Sequence, residues 1–156
     1  MKAKHWLGVL LFGSFLWASC SQNEICLSNQ HALQSGFYSA LALEDKDTLL
    51  TEARIYGILP ERDPLYDNET VGKLFLPLSF QKDTTAFVLY SGEFMKDTLW
   101  FRHSSELKYI SRECGFTFNF ELDSVWFTRV FIDSVAIENP GVNYGENFEN
   151  VKIYIY

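Results

Sequence analysis

Between Phe116 and Leu122 the chain alternates without a break. Phe116, Phe118, Phe120 and Leu122 are apolar, and Thr117, Asn119 and Glu121 between them are polar. A β-strand points successive side chains to opposite faces, so this period of two describes a strand with one buried and one wet face. A helix would scatter the same residues around its circumference. Similar runs recur along the chain. Phe37, Ser39, Leu41 and Leu43 share one face of a first strand, closed by the polar turn Glu44-Asp45-Lys46-Asp47. Leu49 to Ile58 is a second run, with Glu52 and Arg54 on its outer face, and Pro60 to Asn68 reads as a loop. Leu74, Leu76, Leu78 and Phe80 alternate, and Pro77 on the opposite face points to an edge strand or a bulge. Thr85–Tyr90, Thr98–His103, Leu107–Ser111, Phe127–Ile137 and Val151–Ile155 follow, the fourth stopped by Asn139-Pro140-Gly141. About eight or nine short strands at near-regular spacing predict an all-β fold, an antiparallel β-sandwich of immunoglobulin-like or transthyretin-like type. A closed barrel around an apolar ligand is the variant, and it requires inward faces that leave a cavity.

The first residues are of another kind. Lys2 and Lys4 precede an apolar stretch from Trp6 to Trp17, then Ala18, Ser19 and Cys20. The stretch is shorter than the roughly 20 apolar residues a bilayer span needs, but it has the length of a signal-peptide core. Small residues followed by Cys resemble the bacterial lipobox, in which the Cys is acylated and becomes the new N-terminus. Trp17 departs from that motif, which prefers Leu there. An ordinary secretory signal cut near Ala18 is the alternative. The expected organisation is a signal helix over 1–19, a lipidated N-terminus and short tether over 20–34, and a sandwich domain over 35–156. The 156 residues suit one such domain. The net charge of −7, with no basic run, excludes a phosphate-tracking nucleic-acid binder. An acidic body is also repelled by anionic membrane surfaces, so lipid rather than charge would hold it to the membrane.

Three cysteines occur, Cys20, Cys26 and Cys114. If Cys20 carries lipid, two remain, and in an oxidising envelope compartment they are expected to pair. Two buried thiols are the alternative. Cys26 lies six residues after Cys20, a reach of about 20 Å when extended. A Cys26–Cys114 bridge would therefore hold the domain low on its membrane.

The stretches Leu65-Tyr66-Asp67-Asn68, Leu76-Pro77-Leu78, Asp83-Thr84-Thr85, Ser111-Arg112-Glu113-Cys114-Gly115-Phe116 and Ile132-Asp133-Ser134-Val135 resemble a family of small Bacteroidota-type envelope lipoproteins of unknown function. The resemblance covers most of the mature chain and centres on Cys114-Gly115-Phe116. It implies an exported, lipidated, β-rich protein and carries no activity.

Catalytic patterns are sparse. His5 falls in the signal segment, His31 in the tether, and His103 ends a strand beside Ser104 and Ser105 without a nucleophile elbow. Two mature histidines and a paired Cys supply zinc poorly, and no glycine-rich loop precedes a helix. Glu61, Asp63, Asp67 and Glu69 crowd one loop. Such oxygens suit Ca²⁺, but their spacing is not an EF-hand and Pro64 stiffens the loop, so a solvated acidic loop is expected. No metal and no cofactor are expected.

Asp followed by Thr or Ser recurs at 47–48, 83–84, 97–98, 123–124 and 133–134. The pattern looks like the O-glycosylation acceptor motif of envelope proteins in the same bacterial group. Thr48, Thr84 and Thr98, read as strand entrances, are the better acceptors, and Ser134 is weaker. Turn chemistry accounts for the same residues. Leu99, Phe101 and His103 share one face, which puts Trp100 outward with Thr98 and Arg102. Tyr154 and Tyr156 share a face with Lys152. Trp100, Tyr154 and Tyr156 are thus candidate ligand-facing aromatics for a sugar or a protein partner.

These readings converge on a non-enzymatic envelope lipoprotein, anchored to the outer membrane by lipid, with a binding or structural role toward a protein or glycan partner. The alternatives are a carbohydrate-binding accessory of a surface uptake system, which requires clustered exposed aromatics, and a hydrolase with a spatially assembled site, which requires His103 in a cleft beside a nucleophile.

Overall fold

A computed structural model describes residue 26 and residues 32–57 and 63–156. The signal-like stretch, Cys20, His31 and Glu61 lie outside the described residues. Ten strands are present among those described: β1 (Leu33–Ser39), β2 (Leu50–Gly57), β3 (Tyr66–Val71), β4 (Lys73–Leu76), β5 (Thr84–Ser91), β6 (Met95–Ser111), β7 (Gly115–Phe127), β8 (Ile132–Ile137), β9 (Gly141–Val142) and β10 (Val151–Ile155). They form a four-stranded sheet, β4-β1-β10-β8, and a six-stranded sheet, β3-β2-β5-β6-β7-β9. The two pack face to face as an all-β sandwich. Inward-facing residues such as Phe37, Leu74 and Ile153 of the smaller sheet and Ile55, Phe87, Leu99 and Phe101 of the larger form one buried core. The pairing is antiparallel except between β1 and β10, which run parallel. A parallel neighbour needs a long return connection, and here the whole chain between β1 and β10 supplies it.

Several boundaries differ from the sequence reading, each for a local reason. β1 begins at Leu33, inside the segment assigned to the tether, and Leu41 and Leu43 lie in the exposed loop that follows. The chain from Tyr66 is a strand rather than a loop. Its outward side chains are nearly all polar, so apolar alternation is missing, as an exposed edge allows. Gly72 then bends the chain, and β4 continues into the other sheet as an edge strand before Pro77. A Cβ on Gly72 would come within 3.0 Å of Leu49, so the corner is tight. Thr98–His103 and Leu107–Ser111 are one 17-residue strand, β6. It pairs with the 13-residue β7 to form a long hairpin. Conversely, the run from Phe127 to Ile137 is broken at 128–131, where the chain leaves the larger sheet for the smaller.

A fully buried carboxylate fixes that crossing. Asp97, on β6, accepts hydrogen bonds from the amides of Val130 (2.9 and 3.0 Å), Phe131 (2.7 Å) and Ile132 (2.9 Å) and from the Thr128 hydroxyl. Thr128 Oγ1 in turn accepts from the Thr98 amide at 2.8 Å. Asn150, also buried, does comparable work between strands. Its amide group accepts from the Gln34 amide and donates to the carbonyls of Asn139 and Gly141.

Removing the Asp97 side chain leaves three backbone donors without their acceptor. Asp97→Ala should lower stability by about 3–5 kcal/mol, given roughly 1–3 kcal/mol for each buried donor left unpaired. Asp97→Asn can keep an oxygen toward the amides and donate its NH₂ to Thr128 Oγ1, so its loss should be smaller, about 1–2 kcal/mol. Urea denaturation of the three proteins gives the order, and equal losses for Ala and Asn would contradict this assignment.

Candidate functional site

The outer face of the larger sheet carries a row of aromatics. Trp100 on β6 lies opposite Ala86 of β5 on one side and Trp126 of β7 on the other. Two steps along the sheet, Tyr90 lies between Arg54 and Lys96. Both cations sit over its ring, at 5.8 and 5.7 Å from the centroid, and Tyr56 meets it edge-on at 6.0 Å. Trp100 also lines a groove of about 310 Å³, whose wall includes Asp63, Leu65, Ser79, Lys82 and Thr84. An indole wall with hydroxyl, amine and carboxylate groups close by is the arrangement in which a polar ring can stack and hydrogen-bond.

Trp126 is not among the sequence candidates, although a signal for it exists. On β7 the inward residues are Phe118, Phe120 and Leu122, then Val125 and Phe127. The change of parity marks a β-bulge: Arg102 pairs with Ser124 while His103 pairs with Leu122, leaving Asp123 as the extra residue. That bulge turns Trp126 outward beside Trp100.

The three candidate aromatics do not form one site. Trp100 faces outward from the larger sheet, whereas Tyr154 faces outward from the smaller one. The Tyr154 hydroxyl donates to Asp45 at 2.8 Å, and Lys152 Nζ reaches the same carboxylate at 2.8 Å. These two bonds hold the Asp45 carboxyl below its usual range, and the bond to Asp45 raises the Tyr154 pKa. Tyr156 donates to Asp133, which likewise raises the phenol and lowers the acid. Tyr38 stacks tilted on Tyr154 at 5.7 Å, and burial with a bond to Glu149 pushes its pKa up to about 12. Tyr154 and Tyr156 therefore act as ties that hold the loop at Asp45 and the start of β8.

His103 is not at a strand end. It lies within β6, faces the core as its parity implied, and is 3% exposed. Nε2 is 2.8 Å from Thr85 Oγ1, and Phe120 stands edge-on at 5.4 Å. Burial holds the imidazole pKa below the usual 6.5, while the Asp83 charge and the Ser104 backbone act in the opposite direction. One edge of the residue borders an open hollow shared with Asp83, Arg102, Glu121 and Asp123.

The Asp-Thr/Ser pairs divide by role. Thr84 opens β5 and Thr48 precedes β2 by two residues. Thr98 is not at a strand entrance: it lies three residues inside β6, half-buried on the outer face, with its amide bonded to Thr128 Oγ1. Asp123 is the bulge residue. Asp67 and Glu69 lie on β3 rather than in a loop. Among the described residues no group of three or more His, Cys, Asp or Glu side chains is placed to hold a metal ion.

Cys26 and Cys114 form a disulfide, with Cα atoms 5.5 Å apart and a sequence separation of 88. Cys114 sits in the turn joining β6 to β7, where its amide donates to Ser111 Oγ at 3.1 Å. The bridge therefore joins the N-terminal segment to the far end of the long hairpin. A loop of that length is worth about 4–5 kcal/mol in the chain-entropy picture, an upper figure.

Residues 52–155, from β2 through β10, match the family of unknown function DUF6452, and the chain belongs to that family. No curated protein and no solved structure shows significant similarity to it.

The buried histidine has a pH consequence. Its folded pKa lies below its unfolded one, so the unfolded chain binds the extra proton as the pH falls through about 6.5. The stabilisation is present above that pH and is lost on acidification. Thermal melts from pH 8 to pH 5 should show the wild type losing more stability than His103→Gln. Parallel pH curves for the two proteins would refute the assignment.

Proposed function

We propose that this DUF6452 protein is an envelope lipoprotein of the Bacteroidota type, anchored to the outer membrane through lipid on Cys20, with a non-catalytic binding or structural role. The observation that supports this reading is the Cys26–Cys114 bridge. With two cysteines used in a disulfide, Cys20 is the odd one of three, and a disulfide suits an oxidising compartment. Six residues from Cys20, the chain is covalently joined to the domain, so the tether is short. Cys20→Ala should abolish fatty-acid labelling and move the protein from the membrane to the soluble fraction. Undiminished labelling would end the lipobox reading.

A second reading, binding of a glycan as an accessory to uptake, is supported by the Trp100 groove and the neighbouring Trp126. Aromatic anchors of this kind are worth 1–2 kcal/mol or more, so Trp100→Ala should weaken retention by a bound polysaccharide about tenfold. Affinity electrophoresis across a panel of soluble polysaccharides measures this. No retardation of the wild type by any of them would remove the reading.

A further inference from the structure

The β6–β7 hairpin outruns the rest of its sheet. β5 pairs with β6 only as far as Arg102, whereas β6 and β7 remain paired out to Ser111 and Gly115. Beyond Phe120 the inward face of the hairpin stays apolar: Phe118 still packs against the core, while the apolar side chains nearer the tip are exposed. Leu107 lies opposite Phe118, and Tyr109 lies opposite Phe116. The rings of Tyr109 and Phe116 meet at 5.2 Å, and Phe80 stacks on Phe118 at 4.8 Å. Leu107, Tyr109 and Phe116 are 56%, 55% and 64% exposed. Alternation that buries side chains elsewhere here presents a strip of apolar rings to the outside.

Charge and connection single out one occupant. The chain as a whole is acidic at −7, but this arm balances Glu106 and Glu113 with Lys108 and Arg112. It therefore escapes the repulsion that an anionic surface exerts on the body. Its tip is bonded through Cys114 to Cys26, and Phe116 is two residues from that bond. Cys20 can lie no more than about 20 Å of chain from Cys26. Tyrosine and other aromatic side chains favour the boundary between headgroups and acyl chains.

Resting on the lipid-anchor reading above, we infer that the tip of the β6–β7 hairpin seats in the membrane interface, with Tyr109, Phe116 and Leu107 in contact with lipid. The anchor and the strip act together: lipid brings the tip to the surface, and the rings set which end of the sandwich faces the bilayer. The Trp100 groove on the outer face of the larger sheet then remains open to solvent.

The test uses the full-length acylated protein in phosphatidylcholine vesicles whose acyl chains are partly brominated. Phe116→Trp places a fluorophore on the strip, and Phe94→Trp places one at the other end of β6, where the native ring is 91% exposed. Emission from the native tryptophans is subtracted using the wild type. An interfacial side chain lies roughly 5–10 Å deep, so brominated lipid should cut the added emission at position 116 by roughly twofold and leave that at 94 unchanged. Tyr109→Trp should repeat the result for 116. If the protein floats with the vesicles but neither position is quenched, the seat is refuted and the anchor stands. A dimer of the floated protein without quenching at position 116 likewise refutes it, in favour of self-association. Failure to float refutes the anchor and the seat together.

Discussion

A carboxylate without access to water has to find donors inside the protein, and Asp97 finds four: three consecutive backbone amides and a hydroxyl. Those amides belong to the segment where the chain leaves the larger sheet for the smaller. A crossing between sheets breaks the strand ladder and leaves backbone groups unpaired, and buried unpaired groups are costly. Asp97 satisfies them from the neighbouring strand and so fixes where β8 starts. From there β8 pairs with β10, and β10 pairs with β1, which closes the smaller sheet over the core. Much of the sandwich thus depends on one side chain that composition would count as surface.

The disulfide acts at the opposite end of the same strand. β6 begins near the clamp and ends at the turn that holds Cys114, so one 17-residue strand connects the inter-sheet crossing to the N-terminal staple. The bridge lies at the hairpin tip, where it ties Cys26 covalently to the turn between β6 and β7. That geometry gives the distal apolar strip a meaning that exposure alone would not supply, because scattered exposed apolar residues are normal on a protein surface.

The candidate sites were legible in part. The outward position of Trp100 followed from parity, since Leu99 and Phe101 are inward. Trp126 was hidden by the bulge at Asp123, although the shift from Leu122 to Val125 in the apolar pattern records it. Tyr154 and Tyr156 have the right parity but the wrong sheet, and their hydroxyls are engaged by Asp45 and Asp133. Those acids lie far from them in sequence, and local pattern cannot find such partners. The repeated Asp-Thr/Ser pairs illustrate the same point. One local motif yields a strand entrance at Thr84, a buried clamp at Asp97 and a bulge at Asp123.

By itself the sequence determined the fold class, the faces of most strands and the three cysteines, because alternation and residue type are local properties that need no partner. Tertiary structure alone decided which strands became one, as in β6, and which run was cut, at 128–131. It also decided the parallel pairing of β1 with β10, the burial of His103 against Thr85 and of Asp97 against the crossing, and the Cys26–Cys114 partnership as geometry. Each of these depends on contacts between residues tens of positions apart, whose energies appear only once both sheets are in place.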